Sequence, residues 1–302
     1  MVKLEGVFSV LPTPFHADGT IDRESLKKVI ELFIHARVQG LTALGVTSEA
    51  ARMTDSERNA LLQSVMETVD GRIPVVVGTS AAGTRTCIEY SKAALAAGAA
   101  AVMISPPRMP KLNSDAVVRH YQAVAAEINL PIVMQDYPPV SGYGMEPALL
   151  VRIAREVPSA RSIKLEDPPT PFKTARIRQV AGDLDLKIFG GLGGMYLLEE
   201  LIAGATGAMT GFAYPEILLE IIRLFKNGEK KSAASLFYRH VALMRFEFQE
   251  GIGMAIRKEM LRRRGAFANA IVREPAPQLD RSTSEALDML LEGLKAEGST
   301  FL

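Results

Sequence analysis

The sequence predicts a (β/α)8 barrel, the TIM-barrel class, followed by a C-terminal helical extension, and three observations predict it. Short apolar runs alternate with longer stretches of helical periodicity, glycines recur at the joints between them, and eight such runs are complete by residue 226. The expected strands are 6–11, 41–44, 73–77, 100–104, 131–135, 160–164, 186–190 and 206–209. Strands separated by helices pair in parallel through crossovers, and eight such units favour a closed barrel over an open sheet. A nucleotide-binding sheet is the weaker alternative, because no G-x-G-x-x-G follows the first strand.

The elements follow in order. Val7 to Leu11 is a first strand, stopped by Pro12. Gly40, Gly71, Gly98, Gly182 and Gly204 each stand between an amphipathic stretch and a β-prone one, where left-handed helix C-caps are expected. Thr54 with Glu57 forms a capping box, and Pro147, Pro171 and Pro215 suit first-turn positions. Beyond the eighth unit, residues 227–302 read as helices on a barrel of residues 1–226, with a further capping box at Ser282 and Glu285. Their basic clusters, Lys230-Lys231 and Arg262-Arg263-Arg264, are expected to be solvated or paired with carboxylates.

Composition narrows the function. The chain has 302 residues, 48% hydrophobic and 23% charged, with 35 Lys and Arg against 34 Asp and Glu. A net charge of +1 supplies no general attraction to nucleic acid or an anionic membrane, so the expected partner is a small molecule. Cys87 is the only cysteine, which excludes an intramolecular disulfide framework and a thiolate zinc cluster, and the four scattered histidines add no metal-ligand spacing; no cofactor is expected. The start, Met1-Val2-Lys3-Leu4-Glu5-Gly6, lacks the features of a secretory leader, and no stretch reaches the roughly 20 apolar residues of a membrane span, so a cytoplasmic protein is expected.

In a barrel, chemistry belongs at the C-terminal ends of the strands. There "RSIKLED" (161–167) places Lys164 at the end of an apolar run, with Glu166 two residues on and therefore facing the same side. Desolvation disfavours an ammonium, and a free amine condenses with a ketone. A neighbouring carboxylate is the group needed to move a proton at the carbon next to an iminium. The plain alternative for both residues is a buried ion pair. After strand two, "LGVTSEAAR" (44–52) offers Thr47 and Ser48, whose hydroxyls suit a carboxylate; after strand five, Gln135, Asp136 and Tyr137 crowd before two prolines.

Together these residues resemble the dihydrodipicolinate synthase and N-acetylneuraminate lyase family of class I aldolases. The resemblance covers nearly the whole chain. It is carried by "LPTPF" (11–15), Gly45-x-Thr47-x-Glu49, Pro138 and Gly142, "IKLE" (163–166) and "GATGAMTG" (204–211). It implies a barrel, a Schiff base between Lys164 and a 2-oxo acid such as pyruvate, no metal and a homotetramer. The departures carry information too. The first threonine of the family's G-T-T-G-E loop is Val46 here, the strand-five tyrosine is displaced to Tyr137, and Ser105-Pro106-Pro107-Arg108 replaces a T-P-Y-Y. A tyrosine–threonine–tyrosine proton relay is therefore absent, and Val140 stands where an arginine would grip an aldehyde substrate.

Gln-Asp-x-Pro together with Lys-x-Glu is most similar to the sugar-acid dehydratase branch, that of L-2-keto-3-deoxyarabonate dehydratase. The resemblance then implies dehydration of a 2-keto-3-deoxy sugar acid, with Lys164 and Glu166 catalytic. Thr47 and Ser48 would hold the carboxylate, Gln135 would sit at the rim, and Gly191 with Met209, Thr210 and Gly211 would line the wall. Tyr137 is expected to pack or act as a lid. Three alternatives stay open: an aldol or retro-aldol reaction, including a dihydrodipicolinate synthase-like condensation; a phosphate cradle at "FGGLGG" (189–194); and a barrel that binds a 2-oxo acid without turnover.

Overall fold

A computed structural model describes residues 3–302; Met1 and Val2, with which the reading of the N-terminus began, lie outside the described residues. Eight parallel strands close in chain order, β1 pairing with both β2 and β8. They are β1 (Gly6–Val10), β2 (Gly40–Ala43), β3 (Val75–Gly78), β4 (Ala101–Ile104), β5 (Ile132–Asp136), β6 (Ser162–Leu165), β7 (Lys187–Gly190) and β8 (Gly207–Thr210). Each expected strand is present within two residues of its predicted bounds.

Around them lie α1 (Arg23–His35), α2 (Asp55–Val69), α3 (Thr84–Ala96), α4 (Ser114–Glu127), the single turn α5 (Pro138–Ser141), α6 (Pro147–Glu156), α7 (Thr170–Ala181) and α8 (Leu197–Ile202). The chain continues as α9 (Pro215–Lys226), α10 (Lys230–Glu247), α11 (Gly253–Arg263) and α12 (Arg281–Ala296). Among the described residues, no helix is long and apolar enough to cross a membrane.

Strand alternation divides the core into two layers. Outward residues such as Val7, Val77, Ile163 and Leu165 pack under the helices. Inward ones, Phe8, Val10, Val76, Met103, Val133, Phe189 and Met209, fill the barrel, with Phe8 and Phe189 edge to face at 5.5 Å. This apolar filling is the floor on which inward polar residues at the strand ends must stand.

Two local expectations are corrected. Gly40 is not a helix cap but the first residue of β2; a Cβ there would lie 2.2 Å from the Phe8 ring, and the left-handed turn is made earlier by Arg37 at φ 64°. The last helix is capped by Asp280, which accepts from the Thr283 amide at 2.9 Å, rather than by Ser282 with Glu285. The capping box at Thr54 and Glu57 is present.

Candidate active site

Lys164 lies one residue before the end of β6, facing inward, between Gln135 of β5 and Phe189 of β7. It is 2% exposed. The extended backbone carries on to Glu166, whose amide donates to the Asp136 carbonyl at 2.9 Å. Period-two alternation therefore puts both side chains on one face, with Lys164 Nζ 3.1 Å from Glu166 Oε2.

A second layer fixes that carboxylate. Gln135 Nε2 donates to Glu166 Oε2 at 2.7 Å, and Gln135 Oε1 accepts from Ser105 Oγ at 3.1 Å. Ser105 is held in turn by its amide, which donates to Ser80 Oγ at 2.8 Å. Gln135 is thus not a rim residue: it is buried, and both ends of its amide are engaged in orienting Glu166. Gly191 makes room from the other side, since a Cβ there would lie 2.3 Å from Glu166 Cγ. Its contribution to the wall is the space that Glu166 occupies.

The strand-two loop separates its two hydroxyls. Ser48 Oγ donates to the Leu11 carbonyl at 2.6 Å and accepts from the Gly45 amide at 3.2 Å, so its proton is not free for a substrate carboxylate. Ser48 instead clasps the loop to the segment just after β1, where Thr13 Oγ1 donates to the Ser48 carbonyl at 2.7 Å. Thr47 Oγ1 is buried without a partner and remains the available donor.

Glu49, left-handed at φ 59°, is engaged by the C-terminal segment. It forms a buried ion pair with Lys258 of α11 and accepts from the Arg273 amide at 2.9 Å. Lys258 and Arg273 also lie over Phe15, 4.4 and 4.3 Å from its centroid, which accounts for that residue of "LPTPF". Burial lowers the Lys258 ammonium to about 8 even against the pull of Glu49.

On the far wall, Met209 faces inward as part of the apolar filling, fully buried. Thr210 alternates to the opposite, helix-facing side, so the inward position at the end of β8 passes to Gly211. Asp136 is outward too, with Oδ2 2.6 Å from Lys173 Nζ, and ties β5 to α7. Tyr137 is half-buried; burial, then the Glu166 carboxylate, raises its phenol above the ordinary value.

In "FGGLGG", Gly190 and Gly191 meet carboxyl groups, not an anion site: Glu166 fills the space beside Gly191, and a Cβ on Gly190 would lie 1.7 Å from Glu200 Oε2, while Gly193 and Gly194 meet Phe248 and Leu218. The Glu166 carboxylate would repel a phosphate there. Ser80 and Glu200 had no motif to mark them, and Ser105 stood out only as a departure from T-P-Y-Y, because their partners are brought close only by barrel closure. A cavity of about 770 Å³ between α6 and α7 is lined by Pro147, Asp167, Phe172 and Lys173, and by neither Lys164 nor Glu166.

A parallel barrel with a buried amine and a fixed carboxylate at one strand end defines an enzyme of the aldolase-type lyase class. The chain belongs to the dihydrodipicolinate synthetase family, whose model it matches over residues 3–294. It is 33% identical to the L-2-keto-3-deoxyarabonate dehydratase of Azospirillum brasilense over 288 residues, which cover 93% of this chain and 92% of that one. A probable 2-dehydro-3-deoxy-D-pentonate aldolase of Escherichia coli is 27% identical, with 78% and 79% of the two chains covered. The crystal structure of dihydrodipicolinate synthase from Rhodopseudomonas palustris superposes with a TM-score of 0.90, at 33% identity over 95% of this chain and 97% of that one.

Proposed function

We propose that this enzyme dehydrates a 2-keto-3-deoxy sugar acid through a Schiff base on Lys164. The observation that carries the reading is the Lys164–Glu166 pair at 3.1 Å, inward and buried. Glu166 accepts a proton from Lys164, leaving an amine that attacks the C2 carbonyl, and then passes that proton to the carbinolamine hydroxyl, which leaves as water to give an iminium and restores the Glu166 carboxylate. C3, two bonds from the iminium nitrogen, then lies beside the carboxylate. Glu166 removes a C3 proton to form the enamine and returns it to the departing C4 hydroxyl, which leaves as a second water. Hydrolysis of the conjugated iminium frees Lys164. No phenol relay is required, and the dehydratase name of the Azospirillum relative agrees with this chemistry.

Thr47 Oγ1 would hold the substrate's C1 carboxylate, as the one loop hydroxyl without a partner. The family resemblance further supports a homo-oligomer, a tetramer, working in the cytoplasm.

Incubation with 2-keto-3-deoxypentonate, borohydride reduction and mass spectrometry of the modified peptide test the reading. An adduct on Lys164 lighter by one further water than the reduced adduct of intact substrate supports dehydration. A pyruvyl adduct would replace it with retro-aldol cleavage, and no adduct with this acid or with pyruvate would remove the Schiff base altogether.

A further inference from the structure

Arg257 has no part in the steps above, yet it reaches the same mouth of the barrel. It comes from α11, beyond the barrel strands, and is 3% exposed. A Cβ on Gly211, at the inward position that ends β8, would lie 3.1 Å from Arg257 Cζ and Nη1. Arg257 Nε donates to Glu247 Oε1 at 2.6 Å, and Glu247 Oε2 accepts from the Ala213 amide at 2.9 Å, so the guanidinium is held in place from behind. Among the described residues, Nη1 and Nη2 donate to no acceptor, and neither is sealed from solvent. Tyr137, at the end of β5, lies within electrostatic reach of Glu166, Glu250 and Arg257 together. The guanidinium therefore shares one rim with the proposed chemistry.

We propose that Arg257 is a substrate-binding residue whose Nη1 and Nη2 donate to the hydroxyl oxygens at the far end of the 2-oxo acid carried by Lys164. This rests on the Schiff-base reading and adds to it the class of tail the site accepts. A hydroxylated tail fits better than a second carboxylate. Glu247 already balances the guanidinium, and Glu250 and Glu166 add negative charge around Tyr137. Arginine suits the task because its planar fork offers two free nitrogens once Nε is engaged.

Arg257→Gln would be compared with wild type by borohydride trapping with pyruvate, which has no hydroxylated tail, and with 2-keto-3-deoxypentonate. Pyruvate trapping reports that the fold and Lys164 are intact. The expected result is pyruvate trapping within about twofold of wild type and a half-saturating pentonate concentration raised roughly 10- to 100-fold, as loss of a hydrogen bond from a charged group predicts. If the single variant fails to fold, Glu247→Gln with Arg257→Gln replaces the buried pair by neutral amides and should give the same split. Unchanged pentonate affinity, or equal loss of both acids in the single and double variants, would overturn the assignment. Preferential trapping of 2-oxoglutarate, lost in Arg257→Gln, would overturn the hydroxyl in favour of a second carboxylate. Wild-type protein trapping neither acid would remove the Schiff base, and Arg257's role with it.

Discussion

One oxygen, Glu166 Oε2, accepts from Gln135 Nε2 at 2.7 Å and stands 3.1 Å from Lys164 Nζ. The amide of β5 thereby holds the carboxylate of β6 against its amine. Gln135→Met should leave pyruvate trapping by Lys164 intact while kcat falls by about 10- to 100-fold, the worth of a buried hydrogen bond to a charged group. A purely structural role would lower trapping and kcat together.

Glu166→Gln should separate condensation from proton transfer. In deuterated buffer, exchange of the methyl protons of pyruvate measures removal of a proton beside the iminium. That exchange should slow by roughly 10²- to 10⁴-fold while a borohydride adduct on Lys164 still forms. Exchange at the wild-type rate would assign the base elsewhere. Lys164→Ala should abolish both signals.

Two glycine substitutions should fail in different ways. Gly191→Ala places its Cβ 2.3 Å from Glu166 Cγ, a side chain that can swing away, so activity should drop while the melting temperature changes little. Gly207→Ala meets the Gly6 carbonyl oxygen at 1.9 Å, where β8 pairs with β1, and backbone cannot yield as a side chain does. Its thermal stability should fall, and a normal melting curve for Gly207→Ala would contradict that account.

Glu200 should make stability depend on pH. Burial raises its carboxyl from 4.5 to about 8, opposed by the Thr170 hydroxyl, which donates to Oε1 at 2.5 Å. The folded state therefore holds a proton that the unfolded state loses above 4.5. The contribution is fully present below about 4.5 and is lost as pH rises towards 8, at no more than about 1.4 kcal/mol per pH unit. Glu200→Gln should flatten this slope and gain on wild type at pH 8. Parallel denaturation midpoints across that range would show that Glu200 does not titrate there.

Lys258 and Glu49 pair with both side chains fully buried. Lys258→Met would leave the Glu49 charge with only the Arg52 side chain and the Arg273 amide, and should cost about 3–5 kcal/mol in chemical denaturation. Because the pair joins the strand-two loop to α11, the loop carrying Thr47 should loosen as well, and pyruvate should half-saturate trapping at a higher concentration.

The eight strands, their order and the inward pair Lys164 and Glu166 were legible along the chain, because hydrophobic periodicity and period-two alternation are local properties. Thr47 and Ser48 were legible as a pair of hydroxyls, but not as one free and one engaged. That distinction depends on the Leu11 carbonyl, 37 residues away in the chain. Gln135 was recognised, yet its partner lies on the next strand, so its work as the holder of Glu166 was not.

What the sequence by itself determined is the alternation of strands and helices and the residues able to do chemistry, since both follow from the order of side chains. Tertiary structure alone decided which hydroxyl stays free, which glycine makes room for which carboxylate, and that Arg257 and Lys258 of the last helices reach the barrel mouth. These relationships join residues far apart in the chain, and closure of the barrel sets the distances at which hydrogen bonds and ion pairs form.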